Sequence, residues 1–256
     1  MKRGAIYFAT GERYVREAEN SAKSLKEHNP QLPIVLFTDM SSGPAVFDKV
    51  ETVTLKHKNP FKEKGYAFGL TPFEETLFLD TDTKVVGDVS PPFALLTQYD
   101  FALAAMRWLD FDQIPARLRD FEKPHPTRPN FKFLNTGVIY YRMNDRVRSF
   151  LGHWASQIHD VRSPPGQPLL HDDQEWLNLI LGEMGDEKFG VSFHLIPNTI
   201  YNCRDIFFPR LRKEGRANQV VIRHEHGLFD PAGVRYYWRV RKQLSNIYRR
   251  TRKALG

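Results

Sequence analysis

Residues 75–87 read ETLFLDTDTKVVG, and the fold turns on how this stretch is parsed. Leu77, Phe78 and Leu79 form a short unbroken apolar run, the pattern of a strand covered on both faces of a sheet. Asp80 and Asp82 follow directly, separated by Thr81. In an extended segment residues i and i+2 point the same way. Both carboxylates are therefore expected on one side at the carboxyl edge of the sheet, where open α/β folds bind their ligands. Two acids held together repel, and a divalent cation is the simplest neutralising group: carboxylate oxygens suit Mg2+ and Mn2+, which commonly bridge to substrate phosphates. Alone, an Asp-x-Asp tripeptide is more often a solvated turn than a site.

On either side of this stretch strand and helix signals alternate. Ala5–Ala9 is a compact apolar run broken by Thr10-Gly11, after which Tyr14, Val15, Ala18, Ala22 and Leu25 recur at helical spacing. The pattern predicts a strand, a loop and an amphipathic helix that His28-Asn29-Pro30 stops. Ile34–Phe37 reads as a second buried strand ending at Thr38-Asp39, and Val50–Leu55 alternates as a third. A helix over Lys64–Leu70 is closed by Thr71-Pro72. Phe101–Met106, Gly137–Tyr141 and Val220–Ile222 read as strands, Val147–Ile158 as a helix, and Asp172 as the cap of a helix carrying Trp176, Leu177, Ile180 and Leu181. Trp108–Asn130 holds Pro115, Pro124, Pro126 and Pro129 without a steady period, which predicts a long loop shaping a substrate pocket. Strands alternating with helices predict an α/β, Rossmann-like domain with a mainly parallel central sheet over residues 1–233.

Composition bounds the rest. The 256 residues, 41% hydrophobic and 26% charged, are enough for a well-buried enzyme-sized core. The single cysteine, Cys203, excludes an intramolecular disulfide and a multi-cysteine metal site and is expected as a buried free thiol. The apolar run after Gly4 is too short for a signal segment and no window approaches a membrane span, so the expected location is cytoplasmic. Lys plus Arg exceed Asp plus Glu by 37 − 30 = 7, yet the segment from Arg235 onward carries eight basic residues and no acid. The remainder is therefore near neutral, at 7 − 8 = −1, and the basic balance is no argument for nucleic-acid binding. Residues 234–256 form a basic amphipathic stretch. Tyr237, Leu244, Ile247, Thr251 and Leu255 lie near one helical stripe, which suits peripheral contact with an anionic membrane or docking on the domain.

The order of these pieces resembles the GT-A glycosyltransferases that use nucleotide-sugar donors, and most closely their family 8, which includes bacterial galactosyl- and glucosyltransferases and glycogenin. IYFATGERYV is similar to the family's donor-base-binding start, which implies donor contacts at Ala9, Thr10 and Tyr14. Lys64 stands where the family has a basic residue that contacts the donor, and FLDTDT matches its Asp-x-Asp metal motif at Asp80, Thr81 and Asp82. FLNTGVIYYR resembles the motif lining the sugar pocket, at Asn135, Thr136 and Gly137, and DDQEWLN the motif beside the reacting sugar, at Asp173 and Gln174. NTIYN, at Tyr201 and Asn202, and IRHEHG, at His224 and Gly227, are similar to the last two motifs, the second supplying a histidine ligand to the metal. Two departures stand out. The first loop has Thr10-Gly11-Glu12 where the family often places an early acid for the base, and Asp230-Pro231-Ala232 stands where the family has Lys-Pro-Trp.

The resemblance implies a hexosyltransferase that takes a nucleoside-diphosphate sugar, a UDP-sugar as first expectation, to a carbohydrate or lipid-linked acceptor with retention. Asp173 and Gln174 would be the catalytic pair and Asp80, Asp82 and His224 the metal ligands; an imidazole in the set favours Mn2+ over Mg2+. Strand alternation through Val220 and Ile222 also favours His224 over His226. Other readings stay open at this point. Asn135 suits a turn before Gly137, Asp173 and Gln174 suit a helix first turn, and His57, His125, His153 and His159 suit surface or packing roles. Asp80-Thr81-Asp82-Thr83 is also similar to the start of the aspartate-based phosphohydrolases, although Lys84 stands where that motif has Thr or Val. A non-catalytic sugar-nucleotide-binding protein is the third reading.

Overall fold

The computed structural model describes residues 2–56, 60–105, 134–159, 173, 174, 177, 180 and 189–225. The expected 108–130 loop, the Asp172 cap, His226, Gly227 and the 234–256 helix lie outside the described residues. The strands are β1 (Arg3–Ala9), β2 (Ile34–Thr38), β3 (Lys49–Thr52), β4 (Glu75–Leu79), β5 (Thr83–Val85), β6 (Phe101–Ala105), β7 (Leu134–Arg142), β8 (Phe193–Ile196), β9 (Cys203–Arg204) and β10 (Ile222–His224). The helices are α1 (Gly11–His28), α2 (Pro60–Phe68), α3 (Asp145–His159), α4 (Asn198–Tyr201) and α5 (Phe208–Lys213).

Seven strands form the central sheet in the order β3-β2-β1-β4-β7-β6-β8. β3, β2, β1 and β4 run parallel, β7 runs antiparallel to both β4 and β6, and β8 is parallel to β6. Strand alternation divides the apolar side chains between two cores. Ile6, Phe78, Ile139 and Tyr141 face a layer with Phe68 of α2 and Val147, Phe150 and Trp154 of α3. Ala5, Tyr7, Leu77, Leu79, Val138 and Tyr140 face the opposite layer, with Val15, Ala18, Ala22 and Leu25 of α1. Covering both faces is what the unbroken apolar runs demand. No helix among the described residues is long and apolar enough to cross a membrane.

The reversal of β7 determines where a site can form. Because β7 is antiparallel to β4, its amino end lies beside the carboxyl end of β4, with Leu79 opposite Val138 and the Asp80 N–H donating to the Gly137 carbonyl at 2.8 Å. A second, three-stranded sheet, β5-β10-β9, stands at the same edge. It sets His224 opposite Thr83, next to Asp82.

Several expected boundaries move. α1 starts at Gly11, straight after Thr10 and without an intervening loop; Gly11 takes a φ of 73°, which glycine reaches without steric cost. β3 ends at Thr52 and not Leu55, and β10 begins at Ile222 and includes His224. Asn135, Thr136 and Gly137 lie inside β7, so the turn reading of Asn135 is replaced by a strand position. The Asp80–Asp82 segment is a turn and not an extended continuation of β4: Thr83 closes it by donating its N–H (3.2 Å) and its hydroxyl (2.7 Å) to the Asp80 carbonyl.

Away from the site, Asp100 joins β6 to α3 and to the segment before β8. Its carboxylate accepts from Asn144 Nδ2 (2.8 Å), Arg146 Nη2 (2.9 Å) and the Ser192 N–H (2.9 Å). Burial works against its ionisation, but the hydrogen bonds from Arg146, Asn144 and Ser192 win and hold the carboxyl below its ordinary range. A depressed carboxyl contributes stability that is fully present above its unfolded value, about 3.9, and is lost as pH falls through the lower folded value. Asp100→Ala is therefore expected to cost about 3 kcal/mol between pH 5 and 7, after discounting the half-exposed Arg146. The difference from wild type in urea melts should shrink below about pH 4; a difference independent of pH would contradict this role.

Candidate active site

The end of β4 is held from three sides. Lys64, on α2, is buried and extends over the Phe78 ring, its Nζ 2.8 Å from Asp80 Oδ1 and 2.9 Å from Asp173 Oδ2. Burial opposes a charged amine, but the neighbouring Asp173 and Asp80 carboxylates outweigh it and push the Lys64 pKa up, so the amine stays protonated. Asp173 lies in a helical turn anchored to α3 by the Trp154 indole, which donates to the Asp173 carbonyl at 3.2 Å.

From the opposite layer α1 fixes the turn itself. The Thr81 hydroxyl donates to Glu17 Oε2 at 2.5 Å. Tyr7, Ser21 and Thr83 hydroxyls form a buried chain at 3.0 and 2.9 Å, and Ser24 Oγ accepts the Val85 N–H at 3.0 Å. Sequence reasoning passed over Glu17, Ser21 and Ser24. The serines left a signal, being polar residues on the buried face of α1 with Val15, Ala18, Ala22 and Leu25.

From the small sheet comes His224. Its Nε2 stands 3.1 Å from Asp82 Oδ1 and 3.8 Å from Asp80 Oδ2, and one ligand atom from each of the three residues lies within 4.8 Å of the others. Asp80 divides its oxygens, Oδ1 to Lys64 and Oδ2 toward this cluster. Gly137 is what permits the approach. A Cβ there would overlap His224 Cε1 and lie 2.8 Å from both Asp80 Oδ2 and His224 Nδ1.

Asn135 and Gln174 meet at 2.8 Å, and Asn202 bridges Asn135 to His224 with two contacts of 2.7 Å. The structure thus brings together Lys64, Asp80, Asp82, Asn135, Gly137, Asp173, Gln174 and His224, and Thr136 Oγ1 lies 3.4 Å from Lys64 Nζ. Ala9 and Thr10 end β1 and precede α1 at the same sheet edge, with Tyr14 largely exposed on the first turns of α1.

The donor set fits a divalent cation. Asp80 lies within the field of both Asp82 and Asp173, and Lys64 is the cation shared by Asp80 and Asp173. Burial raises the Asp80 pKa, with Asp82 and Asp173 pushing the same way against Lys64 and His224. Two carboxylate oxygens and an imidazole nitrogen, largely enclosed, suit a divalent metal ion.

A mainly parallel sheet between two helical layers, with paired acids at the end of β4, is the GT-A glycosyltransferase fold. Among solved structures, the apo-form glycosyltransferase GlyE of Streptococcus pneumoniae TIGR4 aligns over 88% of this chain with a TM-score of 0.54 and 17% identity. This chain spans 54% of the GlyE chain, about half its length. Apo mouse xyloside xylosyltransferase 1 aligns over 88% of this chain and 97% of its own, with a TM-score of 0.53 and 12% identity. At such identities the shared property is the fold. No protein-family model matches the chain, and neither does any curated protein.

Proposed function

We propose that the chain is a metal-dependent glycosyltransferase that moves a hexose from a nucleoside-diphosphate sugar, a UDP-sugar first, to a carbohydrate or lipid-linked acceptor with retention. The observation that carries the reading is the convergence of Asp80, Asp82 and His224 at the carboxyl end of β4 in a GT-A fold. Its solved neighbours are themselves named as glycosyltransferases. A cation held by Asp80 Oδ2, Asp82 Oδ1 and His224 Nε2 would neutralise the charge that develops on the diphosphate as the glycosidic bond breaks.

The chain's own residues have distinct parts in this reading. Ala9, Thr10 and Tyr14 receive the base, Lys64 fixes Asp80 and Asp173, and Asn135, Thr136 and Gly137 line the sugar pocket. Asp173 and Gln174 flank the reacting sugar, whose departing phosphate oxygen takes the acceptor's proton. Gly227 and His226 follow His224 in sequence and are the proposed donor contact and phosphate or acceptor contact, and the 234–256 segment is the proposed contact with an anionic membrane surface. The phosphohydrolase reading is disfavoured by Lys84, which stands where that motif has Thr or Val, and by the position of the acids after β4 and not after the first strand.

A panel of nucleotide sugars, assayed with Mn2+ for donor hydrolysis and thermal stabilisation, tests the proposal. One donor is expected to raise Tm and to be hydrolysed only when Mn2+ is present. Turnover unchanged by a chelator, or a panel without any stabilising member, would count against it.

A further inference from the structure

The hydrogen bonds behind the cluster have a fixed direction, and it starts at a backbone group. The Gly137 N–H can only donate, and it donates to Asn135 Oδ1 at 2.9 Å. That contact settles which end of the Asn135 amide is oxygen. Asn135 Nδ2 therefore points to Gln174, donating to its Oε1 at 2.8 Å. The same Asn135 Oδ1 receives Asn202 Nδ2 at 2.7 Å, so the Asn202 amide is oriented as well, with its oxygen turned to His224 Nδ1 at 2.7 Å. An amide oxygen only accepts. Nδ1 therefore carries a proton in either charge state of the ring, and Nε2, 3.1 Å from Asp82 Oδ1, is the nitrogen that faces the acids.

We infer that Asn202 is a positioning residue: with Asn135 it holds a proton on His224 Nδ1 and turns Nε2 to the space between Asp80 and Asp82. Asn202 and Asn135 are themselves buried, so water does not offer the amides another set of partners. The relay has a second end. By taking the Gln174 oxygen, Asn135 orients the Gln174 amide, so one backbone N–H sets the polarity of a cation-binding imidazole and of the residue proposed to stand beside the reacting sugar. Binding of a metal at Nε2 rests on the function proposed above, whereas the proton on Nδ1 does not.

The experiment therefore reads both. Long-range 1H–15N correlation spectra of the metal-free full-length protein near about pH 8, with His224→Ala for assignment, report which ring nitrogen is protonated. Wild type is expected to show Nδ1–H, and Asn202→Leu, which removes the acceptor, a mixed or Nε2–H ring. Asn202→Asp loses the donor to Asn135 Oδ1 but keeps an acceptor toward Nδ1, and should keep the proton there. Mn2+ affinity in the presence of UDP should fall about 10- to 100-fold in Asn202→Leu. A wild-type ring without a proton on Nδ1, or the same Nδ1–H signal in wild type and a folded Asn202→Leu, overturns the inference. If Asn202→Leu does not fold, Asn202→Asp decides: loss of Nδ1–H there overturns it, and retention supports it. A wild-type Nδ1–H ring in a protein that does not bind Mn2+ supports the relay while removing the metal reading.

Discussion

Asp82→Asn and Asp80→Asn are each expected to lower donor turnover by about a thousandfold or more, since losing a ligand forfeits several kcal/mol of charge stabilisation in the transition state. Stability should move differently. Asp80 is raised above its ordinary range mainly by burial, with Asp82 and Asp173 adding to it. For an acid whose folded pKa is raised, the ionised form weighs against the fold, increasingly as pH rises above the unfolded value. A neutral amide at Asp80 removes that strain, and Asp173 remains to pair Lys64. Metal-free Asp80→Asn should therefore melt at or above wild type near neutral pH while being inactive. Mn2+ with UDP should raise the wild-type Tm and leave both variants unmoved. Wild-type turnover in either variant after chelation would end the metal hypothesis.

The parts of this architecture that are local in sequence were legible there. The apolar runs of β1, β2 and β4 carry enough hydrophobic pattern to be read as doubly covered strands, and α1 shows its buried stripe through Val15, Ala18, Ala22 and Leu25. The pairing of Asp80 with Asp82 was read correctly as a common-facing pair, but by strand alternation; the molecule achieves it with a turn that Thr83 closes. Such a turn is stabilised by hydroxyls from α1, roughly sixty residues away in sequence, and no local pattern encodes that contact. β5, β9 and β10 escaped as a sheet because each has only two or three residues, too few to show a period. Lys64 is expected from the resemblance to contact the donor, and the structure adds that it pairs with Asp80 and Asp173, contacts no local pattern encodes. Asn202 was visible only as part of NTIYN, since its role depends on meeting Asn135 across 67 residues.

Gly137→Ala is the most economical disruption of the site, because a single methyl group meets two proposed ligands at once. Gly137 is an ordinary strand residue in its backbone angles, so the cost is one of space. The methyl would overlap His224 Cε1 and approach Asp80 Oδ2 to 2.8 Å, closer than real Cβ contacts come. Its backbone has little freedom to retreat: the N–H is bonded to Asn135 Oδ1 and the carbonyl to the Asp80 N–H. The side chains must yield, and His224 can swing only by leaving Asn202. Overpacking of this kind costs about 1–3 kcal/mol of stability. The functional loss should be larger, with Mn2+ affinity down about 100-fold and donor turnover down by a similar factor or more, because the ligand atoms no longer share one point. Gly152→Ala is the matched control: it lies at an exposed position of α3 with nothing within 4 Å of the added carbon. It should raise stability by about 0.5–1 kcal/mol and leave Mn2+ binding unchanged. Parallel Mn2+ titrations with UDP and thermal melts of the two variants separate the effects, and a Gly137→Ala protein that binds Mn2+ as wild type does would mean that His224 and Asp80 do not converge over Gly137.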